Sequence, residues 1–164
     1  MALIGLLSDT HGFFDPRLRE YFANCDEIWH AGDIGNLETA EVIAAFKPLR
    51  AVFGNIDGHE IRRLFPENQR FKFEGMDIWI THVGGYPGNY DPGVKKMIYT
   101  NTPGLFISGH SHICKVMPDK KLGLLHINPG AAGKSGFHMI RTAVRLQIGE
   151  NRVKELEVIE LGSR

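Results

Sequence analysis

The sequence predicts an α/β fold on three observations. Its first half alternates short apolar runs with amphipathic segments, its second half changes to paired strands, and its 19 glycines gather just after the apolar runs. Runs rich in Ile, Leu and Val followed by segments of 3.6-residue period read as strand then helix, hence a parallel sheet covered on both faces. Glycines at run ends belong to loops at strand ends.

Taken in order, ALIGLLSD (2–9), EIWHAGD (27–33) and LRAVFGN (49–55) are the apolar runs of the first half. DPRLREYFANC (15–25), NLETAEVIAAF (36–46) and GHEIRRLF (58–65) are the amphipathic segments that follow them. Together they spell βαβαβα. From about Phe71 the pattern turns to FKFEG (71–75) paired with DIWITH (77–82), a helix-like PGVKKMIYT (92–100), then LFISGH (105–110), KVMPD (115–119) and LGLLHINPG (122–130). MIRTAVRLQI (139–148) and RVKELEVIEL (152–161) alternate apolar and polar residues across a Gly-Glu-Asn turn, which reads as an antiparallel hairpin with one wet face. A mixed sheet or two stacked sheets follow. With no internal repeat, low-complexity tract or linker, residues 1–164 are expected to form one domain, large enough to bury roughly 70% of its unfolded surface.

Composition narrows the function classes. Lys+Arg and Asp+Glu stand at 19 each, so no global field recruits nucleic acid or an anionic membrane, and an anionic substrate must be attracted locally. The first residues lack the basic n-region of a signal peptide, and nothing approaches the ~20 apolar residues of a membrane span. Two cysteines, Cys25 and Cys114, lie far apart and outside any CxxC arrangement, so a reduced, cytoplasmic location is expected. GAAGKS (130–135) resembles the end of a phosphate-binding loop, yet Asn128 stands where the full motif needs glycine.

The chemistry sits where the apolar runs end. Asp9 and His11 follow the first run, Asp33 the second, Asn55 and Asp57 the third, and the later runs add His82, His110 and His112. In an open α/β sheet the carboxyl ends of parallel strands are where ligands bind, so these side chains are expected to converge on one rim. Singly, each has a plainer role. Asp9 and Asp33 would cap the following helices, Asn55 would take a left-handed turn, and Asp57 with Glu60 makes a capping box. His30, His126 and His138 read as packed or rim histidines, His30 lying close behind the site. Caps and turns do not, however, call for carboxylate, amide and imidazole at successive strand ends. A set of Asp, Asn and His offers mixed oxygen and nitrogen ligands suited to Mn, Fe, Zn, Co or Ni. His110 and His112, two residues apart, would present their rings to one side as long as the chain stays extended.

From Asp9 to about Gly130 the chain resembles the calcineurin-like metallophosphoesterases, among them the small YfcE-like bacterial and archaeal phosphodiesterases and the Vps29-type retromer subunit. The motifs are D-x-H (Asp9, His11), G-D (Gly32, Asp33), G-N-x-D (Gly54, Asn55, Asp57), T-H (Thr81, His82), G-H-x-H (Gly109 to His112) and the N-P-G turn (Asn128 to Gly130). The resemblance implies a four-layer αββα sandwich of two mixed β-sheets flanked by helices. It also implies two divalent metal ions, manganese first with iron, zinc, cobalt or nickel as alternatives. Asp9, His11, Asp33 and His112 would surround one ion, and Asp33, Asn55, His82 and His110 the other, with Asp33 bridging. His110 and His112 would then straddle ions about 3.5 to 4 Å apart, and a hydroxide held between the ions would hydrolyse a phosphodiester.

The implied partner is a small phosphate ester, with no nucleic-acid specificity and no membrane, and self-association is left open. A phosphomonoesterase and a non-catalytic interaction module of the Vps29 kind are the alternatives. Two departures from the family pattern stand out. Ile56 occupies the position where the wider family carries a histidine held to assist the leaving group, with His59 the nearest substitute in sequence. THVGG (81–85) lacks a second histidine that related enzymes often carry.

Overall fold

A computed structural model describes residues 1–164 and places two five-stranded mixed sheets face to face with helices on both outer sides. The first sheet runs in the order β12 (Arg152–Ser163), β11 (Ile140–Gly149), β1 (Ala2–Leu7), β2 (Glu27–His30), β3 (Leu49–Ala51). Strands β1, β2 and β3 are parallel, and β11 is antiparallel to both of its neighbours. The second sheet runs β4 (Asn68–Phe73), β5 (Met76–Thr81), β8 (Leu105–Ile107), β10 (Leu124–Pro129), β9 (Cys114–Asp119), with β5, β8 and β10 parallel and an antiparallel strand at each edge. Pro118 sits in the edge strand β9, where a missing N–H costs no ladder bond.

Alternation along the strands decides the layers. Ile4, Leu6, Ile78, Ile80, Val144 and Leu146 point inward to the core between the sheets, where Trp29 packs edge-on against Phe71 and Phe73 with centroids 5.2 Å from each. On the outer face of the first sheet, Leu7, Ile28 and Ala143 meet α1 (Leu18–Tyr21) and α2 (Leu37–Phe46). On the outer face of the second, Trp79 and Phe106 meet Val94 and Ile98 of α4 (Pro92–Thr100). Short α3 (His59–Leu64) packs Ile61 with Ala40 of α2. This is the four-layer αββα sandwich. No helix is long and apolar enough to cross a membrane.

Three local expectations change. The first helix spans four residues instead of eleven; Asp15, which opens the segment, accepts from the Arg17 N–H and from the guanidinium groups of Arg17 and Arg141, and the N-cap position falls to Arg17 with no side-chain bond. A small hairpin, β6 (Gly85–Tyr86) and β7 (Asn89–Tyr90), follows β5 where the sequence had no strand signal. The terminal hairpin is present, but β11 is a central strand buried on both faces over much of its length, and the exposed positions lie mostly along the edge strand β12.

Candidate metal centre

The parallel strands of both sheets deliver their carboxyl ends to one rim. Asp9 and His11 follow β1, Asp33 follows β2, Asn55 follows β3, His82 follows β5, and His110 and His112 follow β8. All seven expected side chains arrive there. Two tight groups form, Asp9 with His11 and His112, and Asp33 with His82 and His110, each with ligand atoms within 4.8 Å of one another.

The simpler roles are excluded by the backbone. Helix α2 is capped by Asn36, which accepts from the Thr39 N–H, so neither Asp9 nor Asp33 caps a helix. Asn55 is not left-handed; Asp9, His11, Asp33, His110 and His112 are, with φ between 46° and 70°. Strand β8 ends at Ile107, so His110 and His112 are not on an extended segment. The two rings diverge to separate groups because the loop coils through two left-handed residues, and strand alternation plays no part. Asp57 is not a cap either. The N-cap of α3 is Gly58, and the buried Asp57 carboxylate accepts N–H bonds from Ile34 at 3.1 Å, Gly35 at 2.8 Å and Gly54 at 2.8 Å, stapling the loop after β2 to the loop after β3.

Each carboxylate is held by one oxygen and offers the other. Asp9 Oδ2 accepts from Ser8 Oγ–H at 2.6 Å and from the His110 N–H at 3.1 Å, leaving Oδ1 facing Nε2 of His112 at 3.2 Å, of His82 at 3.7 Å and of His11 at 3.8 Å. Asp33 Oδ1 accepts from the Ile56 N–H at 3.0 Å, while Oδ2 lies 3.2 Å from His82 Nε2 and 3.5 Å from His11 Nε2. Gly54 is required here, since a Cβ on it would fall 2.0 Å from Asp33 Oδ1.

The imidazole tautomers are fixed from behind. His82 Nδ1–H donates to the Ala31 carbonyl at 2.7 Å, which leaves Nε2 bare toward the carboxylates. His138 Nε2–H donates to the Gly133 carbonyl at 2.8 Å; its bare Nδ1 accepts from His112 Nδ1–H at 3.2 Å, so His112 Nε2 is bare as well. A bare nitrogen facing a carboxylate oxygen at 3.2 Å is two lone pairs meeting, tolerable only with a proton or a cation between them. Asp9 Oδ1, His11 Nε2 and His82 Nε2 are buried without any hydrogen-bond partner. The donor set therefore fits a metal ion in each group, which would satisfy the orphaned atoms.

The field points the same way. Burial raises the Asp9 carboxyl, but the His11 and His112 imidazoles outweigh it and hold it well below the usual carboxylate range. Burial opposes charge on His82, yet Asp33 and Asp9 raise its pKa above the ordinary value, and Asp9 does the same for His11. Positive charge is favoured at His11 and His82.

Two residues outside the expected ligand set have supporting parts. Asn128 of the N-P-G turn donates to the Gly109 carbonyl and to Ser111 Oγ, each at 3.0 Å, and so shapes the loop that carries both histidines. His138, read as a packed histidine, orients His112. His30 lies directly behind the rim: it accepts from the Gly32 N–H at 3.1 Å, donates from Nε2 to Thr10 Oγ1 at 2.9 Å, and is driven down to about 4 by complete burial.

Comparison with known proteins bears on the family and the fold. A protein of Methanothermobacter thermautotrophicus described as a "Probable metallophosphoesterase" is 26% identical over 134 residues, covering 79% of this chain and 76% of that one. Among solved structures, an archaeal phosphodiesterase superposes with a TM-score of 0.75 at 24% identity, over 97% of this chain and 99% of its own. A zinc-complexed Vps29 from Entamoeba histolytica gives 0.71 at 16% identity, over 96% and 98%. The calcineurin-like phosphoesterase superfamily domain matches residues 2–151, and the chain belongs to that superfamily.

Proposed function

We propose that this protein is a metal-dependent phosphodiesterase holding two divalent cations. Asp9, His11, Asp33 and His112 surround one, and Asp33, Asn55, His82 and His110 the other. Manganese is the first choice, with iron, zinc, cobalt or nickel as alternatives. One observation carries the reading: Asp33 Oδ2 stands within 3.5 Å of His11 Nε2 and 3.2 Å of His82 Nε2, so a single carboxylate oxygen reaches both ligand groups. Asn55 Oδ1 lies 3.0 Å from His110 Nδ1, two further donor atoms converging on the second group.

The chemistry such ions supply when bound is stabilisation of charge on phosphoryl oxygens and acidification of water to near neutral pH. The chain does the rest. Asp9 and Asp33 leave the loaded centre cationic by about two, which suits a diester monoanion. His138, Ala31 and Ser8 hold the ligands in orientation, so no reorganisation is needed when substrate arrives. Ile56 offers no proton to a departing oxygen, and exposed His59, at the start of α3, does not line the cleft over the centre. Aryl leaving groups, which depart without one, are accordingly the favoured probes. Free Cys25 and Cys114 support a reducing, cytoplasmic setting.

The test is metal content per chain together with turnover of bis(p-nitrophenyl) phosphate and p-nitrophenyl phosphate in added manganese. Two equivalents of metal and diester preference are expected, with both equivalents weakened in Asp33→Ala. Metal content unaffected by Asp33→Ala sinks the bridged pair, and strong monoester preference sinks the diester assignment. Metal binding with no turnover of either ester makes the chain a docking module of the Vps29 kind.

A further inference from the structure

Over the candidate centre lies a cleft of about 520 Å³ whose floor is His11, Asp33, Asn55, His110 and His112. Its walls are apolar and exposed: Ile56 at 46%, Ile113 at 62% and Phe137 at 101% of full accessibility. Phe137 is the one exposed phenylalanine of the ten in the chain. Each wall residue adjoins in sequence a side chain pinned at the centre. Ile56 follows Asn55 and donates its own N–H to Asp33, Ile113 follows His112, and Phe137 precedes His138, which bonds His112. The chain at each apolar position is therefore anchored beside the centre by bonds that also build it.

The surrounding cations are engaged elsewhere. Lys115 Nζ lies 3.8 Å from the Tyr86 ring centroid, Lys134 Nζ lies 4.2 Å from that of Phe13, and Arg62 stacks on Phe53 while donating to the Asp57 carbonyl. No lysine or arginine lines the cleft itself. A second phosphate or a carboxylate on the substrate would find no partner there, whereas an alkyl or aryl group would remove three exposed apolar side chains from water.

Resting on the phosphodiesterase reading, we propose that this cleft is a subsite for apolar ester groups, so that the substrates are diesters bearing alkyl or aryl substituents and a single negative charge. Concavity and direct continuity with the centre favour a small ester over a flat macromolecular surface as occupant.

The experiment is calorimetric binding of dimethyl, dibutyl and diphenyl phosphate, all monoanions, to the manganese-loaded protein. A fully buried methylene contributes roughly fourfold in affinity. Dibutyl and diphenyl phosphate are expected to bind at least tenfold tighter than dimethyl phosphate. In the double variant Ile113→Ser/Phe137→Ser that ratio is expected to fall at least threefold. Circular dichroism and metal content serve as controls; both positions are exposed, so the variant is expected to fold. Equal affinities across the series, which would leave the rim to a macromolecular partner, overturn the proposal. So does a preference that survives in the double variant. A preference that is present and lost as expected, with no ester hydrolysed, upholds the subsite and overturns the catalytic reading alone.

Discussion

Five of the seven converging side chains hang from left-handed backbone: Asp9, His11, Asp33, His110 and His112. For a residue with a Cβ that conformation costs about 1–2 kcal/mol, and it persists only where the surroundings over-determine it. The Asp57 staple and the Asn128 bonds do so here. In metal-free protein His11→Gly is therefore expected to be more stable than His11→Ala by about 1 kcal/mol, since both lose the imidazole and only alanine keeps the strain. Thermal melts in chelator decide it, and equal midpoints would show no strain at that residue. At the same scale, His138→Leu should weaken the metal equivalent held by His112 roughly 10- to 100-fold, while His138→Gln, whose Oε1 can accept from His112 Nδ1–H, restores most of it. Calorimetric titration with manganese separates the two sites, and an equal loss in both variants would reduce His138 to packing. The seven candidate ligands were legible because each is a polar residue closing an apolar run. His138 was not, because its bond to His112 spans 26 positions and exists only once the loop after β10 folds back. The coiled geometry at His110 and His112 was equally hidden, since a histidine carries no sequence mark for positive φ.

Among the elements, the alternation of apolar runs and amphipathic segments gave βαβαβα because burial patterns are local properties of the chain. The first helix is shorter than its amphipathic segment, and a non-local contact sits at its start: the Asp15 carboxylate takes Arg17 beside it and Arg141 on β11, which donates to it at 2.7 Å and also to the carbonyls of Leu161 and Ser163 on β12. The side chains of this pair are only 4% and 8% exposed. Arg17 keeps its hold on Asp15 when Arg141 is lost, but Arg141 has no other carboxylate, so Asp15→Leu strands a buried guanidinium and is expected to destabilise the fold by about 3–5 kcal/mol. The double variant Asp15→Leu/Arg141→Met should recover much of that loss, because no charge remains buried without a partner. Chemical denaturation of the cycle is the measurement, and additive losses would mean that the guanidinium acts through its carbonyl bonds alone. Confusion of cap with long-range acceptor hid the Asp57 staple: an acidic residue just before a helix has one sequence pattern and two structural uses.

At the scale of the whole molecule, the sheets share one apolar core and one rim, so the centre is assembled only when both have formed and docked. With 19 basic and 19 acidic residues the field is local, and stability is steered by a few buried groups. His30 and His126 are fully buried, and burial drives both to about 4 from an ordinary 6.5. Both are neutral in the fold. Gly32 donates to Nδ1 of His30, and His126 donates from Nδ1 to the Phe106 carbonyl while its Nε2 has no partner. A histidine depressed in the folded state binds more protons when unfolded. Stability is therefore whole above pH 6.5 and is lost as pH falls from 6.5 toward 4, at about 1.4 kcal/mol per pH unit for each group. His11 and His82, raised by Asp9 and Asp33, act in the opposite direction, so the total profile mixes both signs. Comparing the parent with His126→Phe isolates one contribution, because His126 touches neither ligand group. Denaturation curves between pH 7 and 4 should show the variant losing stability less steeply by about 1.4 kcal/mol per unit, whatever its absolute stability after losing the bond to Phe106. Parallel profiles would mean that His126 takes up its proton in the fold as readily as in the unfolded chain, through an opening of the layer formed by α4 and the β6–β7 hairpin.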